Sequence, residues 1–239
     1  MTVTRPRLSG VAVTPRPLPA YRDMFLLTDD DLRAGPILDC PAGASPFGAL
    51  VRALGGEAVS VDPAYGQADG LVERAAADIA RVAQWQRAHP DGFNWSYLGS
   101  PEELAGSWRA ALEVFAADFA PDGSRYVTAA LPRLPFPDGR FALTLSGFLL
   151  FVYPELFGHD ELVAALRELA RVTRGEVRVY PVQSSAGEPY AGLPALRAAL
   201  AAHDIDTEIR HTGCAYATMP DSDRMLVCRR RARSEGEPT

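Results

Sequence analysis

The chain of 239 residues contains no lysine: its 24 basic residues are all arginine, against 30 acidic ones, for a formal net charge of −6. Phosphate affinity comes from clustered positive charge, so this balance argues against nucleic acid as a partner. The one arginine cluster, Arg229-Arg230-Arg231 with Arg233, reads as a solvated tail after the last strand. Without lysine the G-x-x-x-x-G-K-[ST] loop of P-loop NTPases cannot be built. G-x-G-x-x-G is absent too, which weakens a dinucleotide reading, and so is the G-x-S-x-G elbow of α/β-hydrolases. The three cysteines, Cys40, Cys214 and Cys228, are widely spaced and form no C-x-x-C pair. That argues against a disulfide framework or a zinc site, and no metal is expected. No run of about 18 apolar residues is present to span a membrane. The Pro- and Arg-rich first 19 residues lack the apolar stretch of a signal peptide. A cytoplasmic protein is expected, and its oligomeric state is left open.

What is present is an ordinary globular balance, 47% hydrophobic and 23% charged, in a chain long enough to bury a core unaided. Residues 1–20 read as a flexible arm, 21–231 as one domain and 232–239 as a disordered tail. A short helix is expected over 21–27, and Thr28-Asp29-Asp30-Asp31 as the capped start of another turn. Strands are expected at 36–40, 57–62, 125–129, 141–147, 176–181, 206–211 and 224–229. Helices are expected at 46–54, 68–88, 100–119, 160–173 and 193–203. Ser100-Pro101-Glu102-Glu103 carries a cap, a first-turn proline and a glutamate three after the cap. This alternation predicts an α/β fold, a doubly wound and mostly parallel seven-stranded sheet with helices on both faces. The last two strands have no helix between them, so an antiparallel last strand is expected. The stretch from about 68 to 120 is too long for one crossover and reads as a helical insert beside the sheet.

In such sheets ligands bind beyond the carboxyl ends of the strands, where strand order reverses. Two features mark that place here. The small-residue turn Asp39 to Ser45 follows the first strand, and Asp62 closes the second, 23 positions after Asp39. A turn of that kind also occurs in α/β proteins that bind no nucleotide. Its pairing with a terminal carboxylate, able to hold both hydroxyls of a ribose, is the more specific signal.

Ile37-Leu38-Asp39-Cys40-Pro41-Ala42-Gly43 resembles the first motif of class I S-adenosylmethionine-dependent methyltransferases, and Val59-Ser60-Val61-Asp62 resembles their second. Leu134-Pro135-Phe136-Pro137-Asp138 with Phe141 is similar to the segment leading into their fourth strand. Leu166 to Val172 is similar to the helix before their fifth. Leu150 to Tyr153, Glu176 to Pro181 and Asp23-Met24-Phe25 resemble a bacterial, largely uncharacterised branch of that family. The resemblance spans roughly residues 36–181 and implies a Rossmann-like fold with S-adenosylmethionine as cofactor. It also implies roles. Asp39, Cys40, Pro41, Ala42 and Gly43 would line the amino-acid end of the cofactor. Asp62 would hold the ribose, with Pro63 and Tyr65 flanking the adenine and Ala130 and Leu131 touching it. Ser146 and Gly147 would lie where cofactor and acceptor meet, and Tyr21 and Met24 would close over from the N-terminal side. The chain departs from the family pattern at Pro41 and Ser45, which stand for glycines, and at Ala130 and Ala142, which stand for aspartates.

Methyl transfer from a sulfonium requires the acceptor held in line and water kept out, with a general base where the acceptor carries a proton. Tyr153, Glu155 and His159 follow the fourth strand within reach, and Tyr153 and His159 are the catalytic candidates. His159 also reads as an ordinary helix-start residue. Trp85, Trp95 and Trp108 read first as core of the insert and second as an acceptor platform. The leading expectation is a methyltransferase for a small-molecule acceptor. Behind it stand a non-catalytic cofactor-binding or interaction protein of the same fold and an NAD-dependent oxidoreductase.

Overall fold

Three residues form the innermost strand, β1 (Ile37–Asp39), and all three are buried. A parallel strand enclosed on both faces has no polar side to show, and the apolar run before Asp39 meets that condition. In the computed structural model, which describes residues 10–121, 123–214, 216 and 221–231, β1 pairs in parallel with β2 (Ala58–Val61) and β4 (Phe141–Gly147). Outward on one side, β3 (Tyr126–Val127) joins β2. On the other side β5 (Thr173–Tyr180) joins β4. The sheet closes with β6 (Ile205–His211) and β7 (Arg224–Arg230), in the order β3-β2-β1-β4-β5-β7-β6. The last strand inserts between β5 and β6 and is antiparallel to both. This is the Rossmann-like, doubly wound sheet expected from the alternation, with its reversal point between β1 and β4.

One face carries α7 (His159–Val172) and α8 (Leu193–Ala201). In α7, Leu162, Leu166 and Leu169 recur at helical spacing and are buried against β4 and β5. The helix passes directly into β5 at Thr173, whose hydroxyl donates to the Leu169 carbonyl at 2.6 Å. The Leu134–Asp138 segment is held on this helix. Glu168 accepts the Leu134 N–H, and Arg171 donates to the carbonyls of Leu134 and Phe136 and pairs with Asp138.

The other face carries α1 (Leu18–Phe25), α2 (Asp29–Arg33) and α3 (Phe47–Ala53), packed through Phe25, Leu32, Phe47 and Val51. Thr28 and Asp31 form the capping box expected at the start of α2. Helix α3 stops at Gly55, which takes φ +83°, a left-handed turn that glycine adopts without penalty.

Helices α4 (Leu71–Ala88), α5 (Trp95–Leu98) and α6 (Pro101–Asp118) make up the insert. Its interior is continuous with the sheet. Phe115 of α6 stacks into a cluster with Tyr65 and Tyr126, the latter on β3, and Ala42 and Ala44 belong to the same core.

Two expectations change here. Residues 10–17, expected to be part of a flexible arm, lie across the top of the sheet, and α1 begins at Leu18, three residues earlier than read. Ala12 N–H donates to the Tyr153 hydroxyl at 3.2 Å and Val13 N–H to Asp78 at 2.8 Å. Ser45 donates to the Arg16 carbonyl at 3.1 Å. The arginine cluster is not a solvated tail: Arg229 and Arg230 lie on β7. Arg229 pairs with Glu176 and Glu208, Arg230 with Asp138, and Arg231 with Asp206. Arg233 and the expected tail 232–239 lie outside the described residues. Among the described residues no helix is long and apolar enough to cross a membrane. Among them, too, no cluster of three or more His, Cys, Asp or Glu side chains is placed to hold a metal ion.

Candidate functional site

The strand ends at the reversal point open into a cavity of about 390 Å³. Its floor is the turn after β1, with Cys40, Pro41, Ala42 and Gly43, and its far wall is the end of β2, with Val61 to Ala64. Ala129, Ala130 and Leu131 line a third side, Gly147 to Leu149 a fourth, and residues 11–14 with Arg16 form the roof.

Asp62 locks the two principal segments together. One carboxylate oxygen accepts the Gly43 N–H at 2.9 Å, and the other accepts the Ala64 N–H at 2.8 Å, capping the 3-10 segment Pro63–Gln67. The residue is 7% exposed. Burial raises its pKa, against the two backbone donors that lower it. Gly43 takes φ +55° directly beneath the strap, where an added Cβ would sit 3.6 Å from Val13. The positive φ would strain a side chain there, while the Cβ itself would make only ordinary contact with the roof.

Asp39 lies one layer lower. It is 1% exposed and accepts the Tyr21 hydroxyl at 2.9 Å on one oxygen. Its other oxygen is buried without a partner. Burial drives its pKa up to about 8, and the nearby Asp62 charge adds to the rise while the Tyr21 hydrogen bond opposes it. Tyr21 is itself held by stacking on Phe47 at 4.4 Å.

Not every residue expected at the site reaches the cavity. Tyr21, Met24, Cys40, Pro41, Ala42, Gly43, Asp62, Pro63, Ala130, Leu131 and Gly147 line it. Asp39 stands behind Tyr21. Ser146 is buried on the α7 side of β4 with its hydroxyl unpartnered, since alternate strand residues face opposite ways. Tyr65 turns away: its hydroxyl donates to the Gly43 carbonyl at 2.8 Å and its ring is enclosed by Phe115, Phe119 and Tyr126. It braces the turn from below and flanks nothing in the cavity. His159 is the exposed first residue of α7 and lines neither cavity, the outcome that its helix-start position allowed.

Tyr153 lines a second, smaller chamber of about 110 Å³. Ala12, Thr14, Arg16 and Phe148 border both spaces. Trp85 of α4 and Trp108 of α6 also line the chamber, while Trp95 does not; its indole N–H donates to the Pro90 carbonyl at 2.8 Å. The sequence reading missed Arg16 and Phe148 at this junction. Phe148 leaves β4 with φ +53° and its ring lies 3.6 Å below the Arg16 guanidinium. A left-handed aromatic residue is costly and persists where surrounding contacts over-determine it. Arg16, lone between two prolines, belongs to no periodic pattern that could have flagged it.

No family model matches the chain. An uncharacterised protein of Methanocaldococcus jannaschii is 25% identical over 212 residues, 88% of this chain and 92% of its own length. Among solved structures the chain is similar to the CcbJ methyltransferase of Streptomyces caelestis, at 14% identity and a TM-score of 0.49, covering 90% of this chain and 97% of that one. It is also similar to the 1,6-didemethyltoxoflavin N1-methyltransferase of Burkholderia thailandensis, crystallised with that compound and S-adenosylhomocysteine. There the identity is 14% and the TM-score 0.44, with 89% of this chain and 78% of that one covered.

Proposed function

We propose that the protein is an S-adenosylmethionine-dependent methyltransferase acting on a small-molecule acceptor. The observation that carries this reading is the Asp62–Gly43 hydrogen bond. It joins the small-residue turn after β1 to the carboxylate ending β2, at the lip of a cavity at the reversal point of the sheet. The cavity volume falls within the roughly 300–1,000 Å³ of small-ligand sites.

The residues fit a nucleoside cofactor. Each carboxylate oxygen has a second lone pair beyond the backbone bond it already accepts, so Asp62 can also take ribose hydroxyls. Pro63, Ala64, Ala130 and Leu131 offer flat apolar surface for a base. Pro41 brings no N–H to the turn, and Gly43 has spent its own on Asp62, so the polar grip on the amino-acid end falls to Tyr21, with Asp39 behind it.

Bound there, S-adenosylmethionine would supply a sulfonium-activated methyl group. The chain's own contribution is to orient and to exclude water. The strap over residues 11–16 roofs the cavity, and Gly147 to Leu149 bring the end of β4 to the open side. In this reading Tyr153 orients the acceptor. Its oxygen accepts the Ala12 N–H, which leaves its own proton free to donate toward the bound molecule.

Calorimetric titration tests the proposal with S-adenosylmethionine, S-adenosylhomocysteine and NAD. Heat with the two sulfur ligands and none with NAD is expected. Asp62→Ala should weaken S-adenosylhomocysteine by at least tenfold, about 1.4 kcal/mol. Silence with both sulfur ligands, or affinity unmoved by Asp62→Ala, refutes it.

A further inference from the structure

We infer that the smaller chamber binds the acceptor, and that the acceptor is a single planar ring carrying an anionic oxygen group. The inference rests on the methyltransferase reading of the first cavity.

The chamber is lined by donors in want of acceptors. Arg16 Nε, Trp85 Nε1 and Trp108 Nε1 are all buried without a hydrogen-bond partner. An unmet buried donor costs about 1–3 kcal/mol, and three among the residues lining one small chamber mark a place where a ligand supplies the missing acceptors. The Tyr153 hydroxyl adds a fourth proton. No carboxylate is found among the described residues that line the chamber. Arg16 makes no ion pair with any described residue, and its guanidinium is held between Phe148 at 3.6 Å and Trp108 at 5.6 Å. It also donates to the Thr14 hydroxyl at 3.0 Å, and a cation fixed by aromatic faces and a neutral hydroxyl rather than by a carboxylate keeps its charge available to an incoming anion.

Shape limits the rest of the molecule. Trp85 and Phe93 meet edge to face at 5.2 Å, and Trp108 and Phe148 complete flat aromatic walls. Such walls favour a stacked or edge-on ring. The chamber of about 110 Å³ is close to a cavity that accepts one benzene, ~150 Å³. Through the shared border at Ala12, Thr14, Arg16 and Phe148 it opens onto the first cavity, so a substituent of the ring can point toward the cofactor.

Calorimetry on the full chain, with and without saturating S-adenosylhomocysteine, tests this with benzoate, its neutral counterpart benzamide, and cyclohexanecarboxylate. Benzoate should bind, with benzamide at least tenfold weaker and cyclohexanecarboxylate several-fold weaker. Trp108→Phe and Trp85→Phe each remove an N–H but keep an aromatic wall. Each should weaken benzoate at least fivefold and leave S-adenosylhomocysteine within twofold, and melting curves check that both variants fold. Arg16→Gln should erase the preference for benzoate over benzamide. If S-adenosylhomocysteine binds but benzoate does not, or benzamide binds equally well, the inference is overturned and the cofactor reading stands. Benzoate that competes with S-adenosylhomocysteine and ignores both tryptophan variants overturns it as well, because its carboxylate then sits in the first cavity. If benzoate binds selectively and S-adenosylhomocysteine not at all, the ring-and-anion selectivity is upheld and the cofactor reading fails.

Discussion

Asp39 was legible in the sequence as a site residue, but its state was not. The strand pattern places it near the end of the first strand, beside the small-residue turn, and nothing in the pattern tells that Tyr21, eighteen positions earlier, returns to cover it. Burial raises its pKa to about 8, well above the ordinary aspartate value near 3.9. The folded protein therefore holds a proton that the unfolded chain releases between about pH 4 and 8. The unfolded state binds fewer protons over that window, so this residue makes stability fall as pH rises. Asp39→Asn keeps an acceptor for the Tyr21 hydroxyl and abolishes the titration. The variant should match the native protein near pH 4 and exceed it in melting temperature at pH 8. Parallel melting curves at both pH values that do not converge toward pH 4 would remove this account. Tyr65 shows the opposite case. Its type and position suited a base platform, yet the aromatic cluster of Phe115, Phe119 and Tyr126 outbids the cavity for its ring, and that cluster forms only when the insert folds onto the sheet edge.

At the scale of elements, the strands and long helices were readable because each carries its own periodicity or caps. Leu162, Leu166 and Leu169 announce α7, and Ser100 with Glu103 announces α6 through a capping box that the structure contains. The strap of residues 10–17 has neither. Its two prolines around a single arginine look like part of a solvated arm, and its order comes from partners distant in the chain: Tyr153, Asp78 and Ser45. Such tertiary bonds leave no local trace. The Val13–Asp78 bond at 2.8 Å ties the roof to α4, and hydrogen bonds to charged groups contribute about 1.5–3 kcal/mol. Asp78→Ala should therefore speed amide exchange at Val13 by roughly ten- to a hundredfold, with core strands β1 and β4 unchanged. An unaltered Val13 rate would mean that the roof is held by Arg16 and Phe148 instead.

At the scale of the whole molecule, the antiparallel end of the sheet is bound by charge across three strands. Glu176 on β5 pairs with its neighbour Arg178, with Arg210 on β6 and with Arg229 on β7. Arg178 extends the network to Asp31 at the start of α2, on the outer helical layer. Half-burial works against the Glu176 charge, but hydrogen bonds from Arg178 and Arg210 and the surrounding positive charge prevail and hold its pKa down at about 2. The sign is opposite to that of Asp39. A carboxyl whose folded pKa lies below its unfolded value near 4.3 stabilises the fold above that value, and the contribution is lost as pH falls toward 2. After allowance for solvent screening of a half-exposed cluster, that contribution is about 1–2 kcal/mol. Glu176→Gln should lower stability by this amount at pH 7, and the difference should shrink to nothing near pH 2. With Asp39 favouring acid and Glu176 opposing strong acid, the two groups together draw maximum stability toward about pH 4–5, the interval between their transitions. Denaturant unfolding of native, Asp39→Asn and Glu176→Gln proteins from pH 3 to 9 should show the optimum moving up in the first variant, while the acid limb flattens in the second. An optimum that stays fixed in both would mean that neither group governs the response of the fold to pH.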